Sequence, residues 1–131
     1  MKQNEISQHW NRSKAALKAA EILLQNGLYL DSVSRSYYVM LHAARAALLV
    51  YDVVPKNHNH VRQSFGQYLV NSGEIEKQWA KMLYIAYRDR VNADYVEEEA
   101  VSEDSAMTQF NNAKQFVERM KMFLESKDIE I

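Results

Sequence analysis

The stretch DSVSRSYYVMLHAARAALLVYD, residues 31–52, decides the fold of this chain. Its apolar residues recur at steps of three and four, which is the spacing that aligns side chains along one face of an α-helix. Arg35, Tyr38, His42 and Arg45 fall on the opposite half of the helical wheel. The stretch therefore predicts a helix with one core-facing side and one cationic and aromatic side. The apolar side consists of Val33, Tyr37, Met40, Leu41, Ala44, Ala47, Leu48 and Tyr51.

Apolar stripes of the same period lie on both sides of this stretch. They predict long helices over roughly 4–26, 74–95 and 103–126, and a shorter helix over about 61–70. Asn26-Gly27, Pro55 and Asn71-Ser72-Gly73 separate them, and Ser102 is a typical N-cap for the last helix. We therefore predict an all-α, up-and-down bundle of four long helices with one short additional helix, in which 31–52 and 74–95 are adjacent.

Length and composition agree with a single helical domain spanning residues 1–131. Three Gly and one Pro are too few for a small β-sandwich, and zero Cys excludes disulfides and thiolate zinc sites. The formal net charge of −1 offers no global attraction to nucleic acid, so such a role needs a local basic patch. We expect a cytoplasmic protein with no membrane segment, and no motif predicts a cofactor.

Arg90 is the most unusual residue of the 74–95 helix, because it stands on the apolar stripe where Leu or Ala is expected. An arginine keeps its charge when buried, so it must meet carboxylate, phosphate or carbonyl acceptors. One interpretation is an intrahelical ion pair with Asp94, one turn further on. The other is a functional arginine that faces a cleft or a partner subunit.

Two further groups are candidate binding residues. The face formed by Arg35, Tyr38, His42 and Arg45 suits phosphate and base contacts, but the same composition is ordinary at a subunit interface, which we favour. The loop 56–60, with His58, could present cations to an anion at the start of the short helix. His58 and His60 could also bind a metal, but they lack carboxylate partners nearby, so we predict no dedicated metal site.

Several runs of sequence, taken in order, resemble the HEPN superfamily in its small stand-alone bacterial and archaeal branch. They are R-S-Y-Y-x-M-x-H-A-A-R-A-x-L from Arg35, P-K-N-H over 55–58, and R-V-N-A-D-Y over 90–95. The resemblance covers about residues 10–125. It implies a helical bundle that is usually a homodimer, often encoded beside a minimal nucleotidyltransferase, in toxin–antitoxin and defence systems.

Many HEPN proteins are metal-independent ribonucleases that pair an Arg with a His a short way downstream. This chain departs from that pattern, because all four His precede Arg88 and Arg90, and Tyr95 stands where the His is expected. A tyrosine, with a pKa of about 10 in model peptides, is a poor base at neutral pH but can donate a proton. Arg90 and Tyr95 are therefore the candidate catalytic pair, and Arg35, Tyr38, His42, Arg45, His58, Arg88 and Asp94 are candidate binding residues.

Two functions remain open from the sequence. The first, which we prefer, is a HEPN module that binds nucleotide, RNA or a nucleotidyltransferase partner through a dimer cleft containing Arg90 and Tyr95. The second is a metal-independent endoribonuclease in which His42 or His58 replaces the missing His.

Overall fold

The computed structural model describes residues 2–93 and 101–131, and the regular structure within these ranges is helical throughout. The predicted bundle of four long helices and one short helix is confirmed. A π-helical segment, Phe65–Val70, continues the short helix. The α-helices are α1 (Lys2–Gln25), α2 (Tyr29–Leu49), α3 (His58–Ser64), α4 (Lys77–Ala93) and α5 (Glu103–Ser126).

Helix α2 lies at the centre of the bundle and packs against α1, α4 and α5. The predicted adjacency of α2 and α4 is therefore confirmed. Because three helices surround it, α2 is buried on almost every side, and Val39, Ala43 and Ala46 are buried although they lie outside the predicted apolar stripe. The supposed polar face is consequently half covered: Tyr38, His42 and Arg45 are partly buried, and only Arg35 is exposed.

Helices α1 and α2 are joined by a tight turn in which Gly27 adopts a φ of 75°, a conformation that glycine tolerates without strain. Two buried serines then bond the helices together along their length. Ser13 Oγ donates to the Val39 carbonyl at 2.7 Å, and Ser32 Oγ donates to the Ala20 carbonyl at 2.8 Å. This close seam between α1 and α2 brings polar side chains of α1 beside the cationic and aromatic side of α2.

Two helix boundaries differ from the sequence prediction. Helix α2 ends at Leu49 rather than near Asp52, because the chain reverses there through Asp52, whose φ is 60°. Helix α4 begins at Lys77 rather than Glu74, because the Glu74 and Ile75 amides donate to the Leu69 carbonyl and hold that segment as a turn. The far end of the predicted 74–95 helix lies outside the described residues.

Side-chain caps begin two of the helices. The Ser102 hydroxyl accepts the Ser105 amide at 3.0 Å, as predicted for the start of α5. The Asn57 side chain accepts the His60 amide at 3.0 Å and begins α3 directly after the loop that contains Pro55. This cap determines where His58 and His60 stand on the first turn of α3.

Candidate anion-binding site

Two grooves adjoin on one side of the bundle and share Arg35 and Tyr38 of α2. The first, here called the α1–α2 groove, has a volume of about 490 Å³. The second, the Arg90 groove, has a volume of about 470 Å³ and is lined by residues of α1, α2 and α4. The α1–α2 groove is lined by Arg12, Ala15, Ala16, Ala19, Arg35, Tyr38 and His42, and the Arg90 groove by Leu23, Asp31, Ser34, Arg35, Tyr38 and Arg90.

Arginines from three helices therefore line the two grooves that share Tyr38: Arg12 from α1, Arg35 from α2 and Arg90 from α4. Asp31 lies at the edge of the Arg90 groove and offsets part of the positive charge there. The lining of the α1–α2 groove contains two arginines and, among the described residues, no carboxylate. The pair of grooves is thus locally cationic in a chain whose net charge is −1.

Arg90 joins α4 to α2 through Tyr38. Its Nη2 donates a hydrogen bond to the Tyr38 hydroxyl at 3.1 Å, and its Cζ lies 5.3 Å from the centroid of that ring. The preceding turns of α4 bury Leu83 and Ala86, so Arg90 continues an apolar stripe, as expected from the sequence. The acceptor of this bond is a phenol on another helix. Asp94, the intrahelical partner considered above, lies outside the described residues, as does Tyr95.

His42 forms a pair with His9 of α1, a residue that the sequence analysis did not select. The two Nδ1 atoms are 3.2 Å apart, and the rings stack with their centroids 5.4 Å apart. Since one Nδ1 must carry the hydrogen and the other must accept it, the pair holds a single N–H between its rings. No spacing signal could reveal this pair, because His9 and His42 belong to different helices.

Both imidazoles of the pair are neutral at pH 7. Burial, followed by the charges of His9 and Arg12, lowers the pKa of His42 to about 4. Burial, followed by Arg45 and Arg12, also lowers the pKa of His9 from its ordinary value. A neutral imidazole can accept a proton, so this wall of the α1–α2 groove contains a base rather than a fixed cation.

His58 and His60 diverge although they are two residues apart. The His58 ring is partly buried and lies edge-on to Tyr38, with centroids 6.3 Å apart, and 5.6 Å from the ring of Tyr37. His60 is exposed. Burial, followed by Arg45 and Arg90, lowers the pKa of His58. Among the described residues, no group of three or more His, Asp or Glu side chains forms a metal-ligand set.

Arg45 and Arg88 lie apart from the two grooves. Arg45 Nη1 donates to the Pro55 carbonyl at 3.1 Å and so holds the loop before α3. Arg88 is exposed, and its guanidinium is 3.4 Å from the carboxylate of Asp89. The structure thus assembles Arg35, Tyr38, His42 and Arg90 with the unpredicted Arg12, and places His58 behind Tyr38. We call Arg12, Arg35, Tyr38, His42 and Arg90 the arginine–tyrosine site.

The fold and this site define a small helical bundle with an arginine-rich cleft. A protein-family model described as the HEPN domain matches residues 6–126 of the chain. The chain belongs to the HEPN family.

Similar proteins from other organisms support the family assignment. A Methanocaldococcus jannaschii protein named "Putative toxin MJ0605" is 39% identical over 83% of this chain and 81% of its own length. A second protein of that organism, "Putative toxin MJ0142", is 27% identical over 95% of this chain and 85% of its own length. A UPF0332 protein of Pyrococcus horikoshii is 44% identical over 60% of this chain and 56% of its own length.

Within residues 2–93 and 101–131, none of the helices is long and apolar enough to cross a lipid bilayer.

Proposed function

We propose that this chain is a toxin-like HEPN protein that binds RNA or a nucleotide through the arginine–tyrosine site. The observation that carries the proposal is that Arg12, Arg35 and Arg90, from three helices, line two adjoining grooves that share Tyr38. Guanidinium groups form paired hydrogen bonds to phosphate oxygens, and an aromatic ring offers a stacking surface to a base. An arginine-rich cleft with a central tyrosine therefore suits a nucleotide better than an uncharged ligand.

The relatives named as putative toxins support the toxin-like part of the proposal. Resemblance to stand-alone HEPN proteins adds a minimal nucleotidyltransferase as a candidate protein partner in a toxin–antitoxin system. Such a partner would approach the same exposed cationic face, since Arg35 is the exposed member of the site. Co-purification of this chain with the product of an adjoining reading frame would test that partnership.

Single-stranded RNA binding tests the proposal directly. We expect a labelled oligonucleotide to bind with chelator present, with log K falling against log salt at a slope of about −2 if three arginines contact phosphate. Arg35→Ala should weaken binding and reduce the slope, whereas Arg88→Ala, which removes an arginine outside both grooves, should change neither. Fluorescence anisotropy at several salt concentrations measures both quantities. Absent or salt-independent binding would contradict the proposal.

We also predict a homodimer. Tyr38, His42 and Arg90 place aromatic and cationic groups on one partly covered side of the bundle, and two-fold pairing is the commonest assembly of such a surface. Light scattering at micromolar concentration should therefore give twice the 15.3 kDa mass of one chain. A mass of 15.3 kDa under these conditions would rule the homodimer out.

Metal-independent RNA cleavage is the second candidate function. The observation favouring it is that His42 and His58 both lie against the ring of Tyr38, whose hydroxyl accepts the bond from Arg90. A neutral imidazole could take the proton of a 2′-hydroxyl as that oxygen bonds to the adjacent phosphorus and the bond from phosphorus to the 5′-oxygen breaks, the 5′-oxygen taking its proton from water. Arg90 would stabilise the negative charge that develops on the phosphoryl oxygens.

A further inference from the structure

The His9–His42 pair forms part of the wall of the α1–α2 groove, beside the guanidinium of Arg12. His42 lines this groove directly, and His9 stands behind it across the 3.2 Å contact between the Nδ1 atoms. When His42 carries the hydrogen between the two Nδ1 atoms, a proton added to His42 places an N–H on its remaining ring nitrogen while the shared hydrogen bond is kept. Such an N–H is a charged donor for an anion in the groove.

Burial, together with charged and titratable groups on α1, α2 and α3, determines whether the pair takes up that proton. Arg12 of α1, Arg45 of α2 and His58 of α3 all disfavour a positive charge on His42. Glu5, one turn before His9 on α1, favours a positive charge on His9. Burial is the largest cause of the lowered pKa values of both imidazoles, and the arginines add to it, so in the free protein the pair is neutral at pH 7.

We propose that the α1–α2 groove selects a dianionic phosphate, such as the terminal phosphate of a nucleotide or of an RNA end, and takes up one proton on the His9–His42 pair as it binds. An anion held by Arg12 and Arg35 offsets the positive field of the arginines, which together with burial keeps the pair neutral. A monoester phosphate brings a second negative charge, and the imidazolium compensates it, whereas an internal phosphodiester brings only one. This inference rests on the anion-binding site of the proposed function and adds its ligand class.

The sign of the pH effect follows from linkage. The pKa of His42 is about 4 in the free protein and is higher in the complex, because an anion close to an imidazolium stabilises it. A group whose pKa rises on binding takes up a proton, so affinity increases as the pH falls through the pKa of the complex. The increase ends below the pKa of the free protein.

Calorimetric titration with sulfate tests the inference. Sulfate remains a dianion throughout the pH range used, so the ligand contributes no protonation change of its own. We expect sulfate to bind about tenfold more tightly near about pH 5.5 than near about pH 7.5. Buffers of different ionisation enthalpy should reveal the uptake of about one proton per site at the lower pH. Dimethyl phosphate, a monoanion, should bind with little dependence on pH.

Substitutions assign the proton to the pair. His42→Gln and His9→Gln should each abolish the pH dependence and the proton uptake, because a glutamine amide does not titrate. His60→Gln is the matched control, since His60 is exposed and stands away from the groove, and it should behave as the wild type. Circular dichroism of each variant would establish that the fold is retained at both pH values.

The outcomes separate this inference from the proposed function. Sulfate binding that is independent of pH, or whose pH dependence survives both substitutions, would overturn the proton-coupled site while leaving RNA binding intact. Equal pH dependence for sulfate and dimethyl phosphate would overturn the dianion selectivity. Failure of sulfate, a nucleoside monophosphate and a 5′-phosphorylated RNA to bind at either pH would overturn both proposals. Binding of only the phosphorylated RNA among the phosphate ligands would identify an RNA end, rather than a free nucleotide, as the source of the phosphate.

Discussion

Replacing Arg90 by Ala is expected to weaken RNA or nucleotide binding by about 1.5–3 kcal/mol, or about tenfold to 150-fold in Kd. The reason is that the variant removes a guanidinium that lies in the Arg90 groove and is oriented there by its 3.1 Å bond to the Tyr38 hydroxyl. A lost hydrogen bond to a charged group has this magnitude. Fluorescence anisotropy with a labelled single-stranded RNA measures the effect.

Two comparison variants make this result specific. Arg90→Lys should restore only part of the affinity, because an ammonium cannot form the two parallel hydrogen bonds of a guanidinium. Arg88→Ala removes a neighbouring arginine that is exposed and outside both grooves, so it should leave affinity unchanged. A different outcome, in which Arg90→Ala lowers thermal stability while affinity is intact, would favour the structural ion pair with Asp94. The double variant Arg90→Asp, Asp94→Arg would then recover part of the stability.

The second large effect that we predict concerns the second candidate function, RNA cleavage with chelator present. If the wild-type protein cleaves, Arg90→Ala should reduce the rate by about 10²–10³ through loss of charge stabilisation. His42→Ala or His58→Ala should reduce it by about 10²–10⁴ through loss of the proton acceptor. Gel analysis of total RNA and of tRNA at fixed enzyme concentration measures both changes.

His60→Ala serves as the control for these variants, because its side chain is exposed while that of His58 lies against Tyr38. Cleavage that persists in both His42→Ala and His58→Ala would leave Tyr95 as the acid–base candidate. Complete absence of cleavage by the wild type would leave the binding function alone. Each result therefore selects one of the two candidate functions.

Much of the fold follows from patterns that are local in the sequence. The steps of three and four along α5, with Ser102 as its cap, predict a helix over 103–126, and the structure has the same bounds. Asn26-Gly27 predicts the turn between α1 and α2 because a glycine tolerates the positive φ found there. The start of α4 lies three residues later than predicted, because backbone hydrogen bonds from Glu74 and Ile75 to the nearby Leu69 carbonyl hold that segment as a turn.

The candidate site was partly predictable for a similar reason. Helical periodicity places Arg35, Tyr38 and His42 on one side of α2, and it places Arg90 on the apolar stripe of α4. The meeting of Arg90 with Tyr38 required the packing of two helices, and their hydrogen bond joins residues 52 positions apart.

By itself, the sequence determined the helices, most of their ends and the charged positions on their faces, because these depend on residues a few positions apart. Only the tertiary structure decided which charged side chains share a groove. It brought His9 and Arg12 to the site across the close α1–α2 seam, and it turned Arg45 away towards the Pro55 carbonyl. Periodicity describes the face of one helix, whereas a site between helices depends on how their faces pack, on burial and on the field of charges from other helices.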